Sequence, residues 1–129
     1  MSGLDRLRPL ALVGLGGFAG AVLRYGVGAT LPTGFPWATL AVNVAGSLAL
    51  GALVAEQRLV GRFDAEVRLL VGTGFLSSFT TYSTFAVETA GLSPTLAAAN
   101  VGANYALGFG AAMAGRFAVD ALATSEVTG

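Results

Sequence analysis

SSFTTYST, residues 77–84, places seven hydroxyl side chains in eight positions of an otherwise apolar segment that runs from Leu69 to Val87. A segment of this length can cross a bilayer, which takes roughly 20 apolar residues as a helix. Burying hydroxyl groups in lipid is unfavourable, so the run is expected to line water, an ion path or a protein contact. It is therefore the first candidate for a functional site.

The composition of the chain is that of a membrane protein. Of its 129 residues, 54% are hydrophobic and only 11% are charged, whereas about a quarter are charged in soluble domains. The chain has no Cys and no His, which excludes disulfides, thiolate metal sites and the usual proton shuttle. It has no Lys and a formal net charge of zero, so the composition does not indicate a nucleic-acid partner. The partner that the composition indicates is membrane lipid.

The hydropathy pattern predicts one transmembrane domain over residues 1–129. Its four spans lie at about residues 10–31, 37–55, 69–87 and 96–115. Pro32 ends the first span, Trp37 opens the second at the interface, and Pro94 opens the fourth. The tail from Arg116 to Gly129 is expected to fray. The predicted fold class is an all-α membrane protein with four transmembrane helices.

The basic residues predict the orientation of these spans. The N-terminus, the second loop and the C-terminal flank carry Arg6, Arg8, Arg58, Arg62, Arg68 and Arg116. The first and third loops carry none. The positive-inside rule therefore predicts a multi-pass protein of the cell (plasma) membrane with both termini cytoplasmic.

The hydroxyl run also predicts an interruption in the third helix. Serine and threonine side chains compete for backbone hydrogen bonds, and threonine is β-branched. Non-helical backbone at membrane depth survives where it is buried in protein or lines a cavity, and its freed carbonyls can bind a small cation such as sodium. The alternative is a continuous helix whose hydroxyls bond to carbonyls one turn earlier.

Small and polar residues recur every four positions in the other three spans, so they share one helix face. The stripes are Gly16, Gly20, Arg24 and Gly28; Thr39, Asn43, Ser47 and Gly51; and Asn100, Asn104 and Gly108. One interpretation is helix–helix packing, with small residues at the contacts and amides as hydrogen-bonding groups. The other, favoured by the adjacent hydroxyl run, is a polar path between helices.

Arg24 and the aromatic residues of the third span are the remaining candidates. A charge inside a span by default marks function, although Arg24 could also extend its guanidinium to the interface. Phe79, Tyr82 and Phe85 alternate with the hydroxyls. Aromatic ring edges carry partial positive charge, so a small hard anion could contact ring edges and hydroxyl groups together.

These residues resemble the small fluoride channels of the Fluc, or CrcB, family along nearly the whole chain. The matching stretches are GGFAGAVLRY (16–25), ATLAVNVAGSLALG (38–51), GTGFLSSFTTYSTFAVE (72–88) and NVGANYALG (100–108). The resemblance implies a broken third helix, an antiparallel dual-topology dimer, two fluoride pores for each dimer and one structural sodium ion (Na+) at the two-fold interface.

The resemblance also implies roles for individual residues. It assigns the sodium site to the backbone carbonyls of Ser77 and Thr80, and the vestibule arginine to Arg24. The aromatic box falls on Tyr82 and Phe85. The implied fluoride path, including its support, comprises Asn43, Tyr82, Ser83, Thr84, Phe85 and Asn104. Glu88 occupies the position of an acid that follows the broken segment in the family.

Three positions depart from the family pattern. Ser77-Ser78 stands where Gly-Gly is usual, Tyr82 where Phe is usual, and Gly108 where Ser is frequent. The serines would be strained if the backbone needed a positive φ. The six-to-zero arginine bias predicts insertion in one orientation, with an oppositely biased homologue as partner; a homodimer is the alternative.

Two other functions remain as alternatives. A non-conducting assembly subunit fits the altered pore residues. A small multidrug exporter also uses four short spans, but it needs a carboxylate in its first span, and here that span carries Arg24 and no acid. A membrane enzyme is not predicted, because the chain lacks His and Cys for acid–base or nucleophilic chemistry.

Overall fold

The computed structural model describes residues 2–128, and all of their regular secondary structure is helical. The long helices are α1 (Gly3–Thr30), α2 (Trp37–Leu59) and α6 (Pro94–Thr128). These three are long and apolar enough to cross a membrane. The prediction of an all-helical membrane protein is therefore confirmed, with three candidate spans among the described residues.

The segment predicted as the third span is divided into short elements. α3 (Ala65–Arg68), a π-helical segment (Leu69–Leu76) and α4 (Ser77–Phe79) follow one another without interruption. We call residues 65–79 the first limb. Helix α5 (Ser83–Ala90) is the second limb, and residues 80–82 between them are the break. The helical run ends at the extended backbone of Thr80 (φ −82°, ψ 159°), so the predicted interruption is confirmed.

The C-terminal tail does not fray as predicted. Helix α6 continues from Pro94 to Thr128. Alanine is the strongest helix former, and Ala118, Ala121 and Ala123 support these turns. The Thr124 hydroxyl also donates to the carbonyl of Asp120 (2.9 Å). Local helix propensity therefore outweighs the shortness of the tail, on which the prediction of fraying was based; Gly129 lies outside the described residues.

Close backbone contacts position the first limb. Helix α1 packs on the π-helical segment through Gly16 and Gly20, which are both buried. A Cβ atom at Gly16 would collide with the carbonyl oxygen of Leu70, and one at Gly20 with that of Phe75. Half of the predicted glycine stripe is thus a packing surface, as the first interpretation of the stripes requires. Gly28, by contrast, has nothing within 4 Å.

A buried carboxylate closes the loop between α2 and α3. Glu56 Oε1 accepts the backbone N–H groups of Arg62 (2.6 Å) and Phe63 (2.9 Å). The chain turns at Gly61, whose φ of 70° favours glycine. This connection fixes where the first limb begins, and nothing in the sequence pattern had singled out Glu56.

Candidate functional site

The side chain of Asn43 fastens the break to α2. Its Oδ1 accepts the backbone N–H of Thr81 at 2.9 Å, and its Nδ2 donates to the carbonyl of the same residue at 3.0 Å. The amide thus pairs with Thr81 as a neighbouring β-strand would. Two backbone groups that the interruption leaves without helical partners are satisfied in this way.

The same interruption frees the carbonyls of Ser77 and Thr80. In a continuous helix they would accept the N–H groups of Thr81 and Thr84, four residues later. Those N–H groups instead donate to side chains, Thr81 to Asn43 Oδ1 (2.9 Å) and Thr84 to Thr81 Oγ1 (3.1 Å). Both carbonyls named by the sodium prediction therefore lie next to the break.

The serines that stand in the glycine positions cause no backbone strain. Ser77 has helical torsion angles (φ −63°, ψ −31°). Among the described residues, no residue other than glycine has a positive φ. The expectation of a cost at this position does not apply, because the first limb is helical here and any L-residue adopts that conformation.

A chain of side-chain hydrogen bonds connects Asn43 to the second limb. Asn43 Nδ2 donates to Asn104 Oδ1 (3.3 Å), and Asn104 Nδ2 donates to Asn100 Oδ1 (3.0 Å). Asn100 Nδ2 donates to Thr89 Oγ1 (2.9 Å), whose hydroxyl donates to the Phe85 carbonyl (2.6 Å). We call these five groups the amide relay. It joins α2, α6 and α5 around the break.

The aromatic residues form a cluster beside this relay. Phe85 is buried (8% exposed), whereas Tyr82 is 73% exposed. Their ring centroids are 5.9 Å apart, and Tyr105 of α6 meets Phe85 edge to face at 6.4 Å and 81°. Phe79 lies apart, stacked on Phe75 at 5.5 Å. The structure therefore adds Tyr105 to the predicted pair and assigns Phe79 to packing.

Two clefts meet at the break. The first has a volume of ≈ 560 Å³ and gathers most of the predicted site residues, namely Asn43, Ser77, Thr80, Tyr82, Phe85 and Asn104. The second, of ≈ 690 Å³, contains Arg24, Thr84 and Glu88. Among the residues that the structure describes, Thr81 alone lines both clefts. An ion that crossed from one cleft to the other would therefore pass the residue that Asn43 holds.

The second cleft is lined by a positively charged side chain, by hydroxyl groups and by a carboxylate. The Arg24 guanidinium supplies positive charge, and Thr39 donates its hydroxyl hydrogen to Glu88 Oε1. Thr84 contributes a side chain from the start of α5. Ser83, predicted beside it, is exposed and lines neither cleft.

Sequence reasoning missed several members of this site. Tyr105 follows Asn104 directly, and an aromatic residue beside a polar stripe is a weak signal of a lining position. Thr39 belonged to a recognised stripe, but its bond to Glu88 joins residues 49 positions apart. Thr89 and the depth of Asn100 gave no signal, because both depend on how α5 lies against α6.

Comparison with known proteins identifies the family of the chain. Residues 11–116 match the model of the family described as "CrcB-like protein, Camphor Resistance (CrcB)". The chain is 57% identical over 109 residues to "Fluoride-specific ion channel FluC 1" of Natronomonas pharaonis, covering 84% of this chain and 92% of the relative. It is 54% identical over 110 residues to "Fluoride-specific ion channel FluC 2" of Halobacterium salinarum, covering 84% of each.

A relative with lower sequence identity matches a similar share of the chain. "Fluoride-specific ion channel FluC" of Thermus thermophilus is 42% identical over 110 residues, covering 82% of this chain and 85% of the relative. The matched region, residues 11–116, includes every described residue that lines the two clefts. The chain belongs to the CrcB family.

Proposed function

We propose that this protein is a fluoride-specific ion channel through which cytoplasmic fluoride leaves the cell down its electrochemical gradient. The observation that carries the proposal is the 54–57% identity to relatives named fluoride-specific ion channels, over most of both chains. Fluoride enters cells as neutral HF and dissociates in the neutral cytoplasm, where its charge prevents it from crossing lipid. A passive channel releases it and so reduces its toxicity.

The path for fluoride runs through the clefts on either side of Thr81. Arg24 raises the local concentration of anions in the second cleft, and Thr84 offers a hydroxyl donor there. In the first cleft the ring edges of Tyr82 and Phe85 and an N–H of Asn43 replace water around the ion, and Asn104 supports the Asn43 amide. Ser83 lines neither cleft, so we assign it a supporting position at the start of α5.

Asn43 would donate an N–H hydrogen to fluoride by giving up one of its present hydrogen bonds. Its two amide hydrogens are engaged by the Thr81 carbonyl (3.0 Å) and by Asn104 Oδ1 (3.3 Å). The second of these bonds is longer than usual, so it is the weaker one. Fluoride arriving in the first cleft would take the hydrogen now shared with Asn104 and leave the bond to Thr81 in place.

The residues at the break fit a structural sodium ion. The carbonyl oxygens of Ser77 and Thr80 have lost their helical donors to side chains, and oxygen is the ligand type that hard cations select. When bound, such an ion would neutralise partial negative charge on main-chain oxygens. The same two carbonyls of an antiparallel partner would complete the ligand set.

An antiparallel dimer also accounts for the exposed aromatic residues. Tyr82, Tyr105 and Phe109 all line the first cleft and are all exposed on the single chain. A partner would cover them and close the cleft into a pore. The four-span topology with cytoplasmic termini and the arginine bias favour an oppositely oriented homologue over a second copy, and the numerals 1 and 2 in the relatives' names fit paired chains.

Efflux from liposomes tests the function. We expect the purified chain, reconstituted with its paired homologue, to release fluoride measured by a fluoride electrode and to retain chloride. Reconstitution of the chain alone distinguishes the two dimers, because robust efflux would refute the heterodimer. Release of a lipophilic cation without fluoride would instead indicate a small multidrug exporter and overturn the proposal.

A non-conducting assembly subunit is the second candidate function. Gly108 faces Ser47 in the first cleft without a side chain of its own, and Tyr82 adds a hydroxyl to the aromatic pair. Both departures change the pore that this chain lines. If mixed dimers conduct equally well when the pore residues of this chain are substituted, the partner supplies the conducting path.

A further inference from the structure

We propose that Asn100 is a positioning residue that fixes which way the Asn104 amide points, and thereby holds the Asn43 N–H group in the position where the first cleft offers it to an anion. The inference rests on the proposed fluoride conduction. Asn100 lies on α6 and lines neither cleft. It acts on the path only through the amide relay, which joins it to Asn43 on one side and to the second limb on the other.

Asn100 is buried and fully engaged. Its relative exposure is 0%. Its Oδ1 accepts from Asn104 (3.0 Å), and its Nδ2 donates to Thr89 Oγ1 (2.9 Å). Asn104 Nδ2 also donates to the Asn100 carbonyl (2.8 Å). A buried amide with both ends bonded cannot turn over without losing hydrogen bonds to both neighbours.

The direction of the relay originates at Thr89. The single hydroxyl hydrogen of Thr89 goes to the Phe85 carbonyl (2.6 Å), so its oxygen can only accept from a neighbour. The group that faces it must therefore be the NH2 end of Asn100. The oxygen of Asn100 is then left for the NH2 end of Asn104, as the 3.0 Å bond records.

The same polarity passes on to Asn43. Because the NH2 end of Asn104 is held by Asn100, the oxygen of Asn104 faces Asn43 and requires a donor. Asn43 meets this requirement with Nδ2, which leaves its Oδ1 for the N–H of Thr81. An inverted Asn43 would place its oxygen against two other oxygens, the carbonyl of Thr81 and Oδ1 of Asn104.

The direction of the hydrogen bonds in the amide relay decides how the first cleft meets an anion. With the relay intact, Asn43 keeps its NH2 end beside the first cleft, where the hydrogen now shared with Asn104 Oδ1 can be donated to an anion. Without the Thr89 hydroxyl or the Asn100 amide, Asn104 loses a partner that fixes its orientation and can turn its NH2 end toward the NH2 end of Asn43, which the two bonds to Thr81 hold in place. The two donors then repel each other, and the N–H of Asn43 is displaced from the position in which it meets the ion. Loss of the relay should therefore change selectivity as well as rate, whereas a purely structural residue would change stability alone.

Thr89→Val tests the relay with little change in shape. Valine keeps the branched form of threonine and removes the hydroxyl, whereas Thr89→Ser retains the hydroxyl as the rescuing variant. We expect fluoride efflux per reconstituted channel to fall at least about fivefold in Thr89→Val, the loss expected for an unsatisfied buried polar group. The ratio of fluoride to chloride efflux should fall with it, and Thr89→Ser should restore both.

Asn100→Ala and the double variant Asn100→Ala/Thr89→Val complete the experiment, with Val101→Ala on the exposed face of α6 as the control. Members of one relay should give effects on efflux that are not additive. Wild-type rate and selectivity in Thr89→Val overturns the inference, even if Asn100→Ala does not fold. A wild-type channel that fails to conduct fluoride overturns the proposed function, which is a separate result.

Discussion

Two contacts hold the broken segment, and they work by opposite means. The first limb lies on α1 because Gly16 and Gly20 present no side-chain atoms, so the two backbones touch. The second limb and the break are held by the amide relay, whose bonds have direction. Close packing fixes where the segment lies, and the relay fixes which polar groups face the clefts. Changes in the first contact should alter folding, and changes in the second should alter conduction.

The largest effect is expected at the glycine contact. In Gly20→Ala, the added Cβ collides with the Phe75 carbonyl and lies 3.0 Å from the amide nitrogen of Phe79. Overpacking of this kind costs on the order of 1–3 kcal/mol. We expect a lower melting temperature and loss of monodisperse protein on size exclusion in detergent.

Gly14→Ala is the matched control for that variant. It makes the same substitution on the same helix, at a position with nothing within 4 Å of the added atom. Its melting temperature should be no lower than that of the wild type, because alanine favours a helix over glycine, and its elution should be unchanged. Equal stability of the two alanine variants would show that the contact between α1 and the first limb is loose.

Asn43→Asp should strongly reduce conduction while the protein still folds. The substitution replaces the donor that faces the Thr81 carbonyl and Asn104 Oδ1 with an oxygen, and its negative charge repels an anion. We expect fluoride efflux to fall by about 100-fold, equivalent to roughly 2.7 kcal/mol in the barrier. Leu48→Ile, on the exposed face of the same helix, should conduct normally. Near-wild-type efflux in Asn43→Asp would show that Asn43 does not take part in the fluoride path.

Phe85→Ile should produce the smallest of these three effects. Isoleucine retains most of the buried volume but removes the ring that contacts Tyr82 and Tyr105. We expect about a tenfold loss of fluoride efflux, the scale of one aromatic interaction. Phe18→Ile makes the same substitution at an exposed position of α1 and serves as the comparison. Equal efflux in the two variants would mean that ring edges do not take part in conduction.

The amino-acid sequence predicted the broad fold because hydropathy and hydroxyl content are local properties. The start of α2 at Trp37 and the interruption after Phe79 both follow from residues at those positions. The π-helical form of Leu69–Leu76 was not predictable. It accompanies the contact between that segment and α1, so it depends on a neighbour distant in the sequence.

Local sequence patterns also predicted part of the candidate site. Asn43 and Phe85 were identified from their patterns, and the structure brings both to one cleft. Their partners were not, because Thr81 is 38 residues from Asn43 and the bond between them requires the break itself. Asn100 appeared only as a member of a stripe. Its complete burial and its bond to Thr89 follow from the way α5 lies against α6.

The length of α6 makes it a suitable element for distance measurements between subunits. Its 35 residues extend about 52 Å at roughly 1.5 Å per residue, well beyond a hydrocarbon layer of about 30 Å. Since the chain has no cysteine, a single thiol introduced at exposed Leu122 would carry one spin label or dye on a straight shaft. In a dimer of opposed subunits the two labels would sit on different sides of the bilayer, so one pairwise distance would report relative subunit direction.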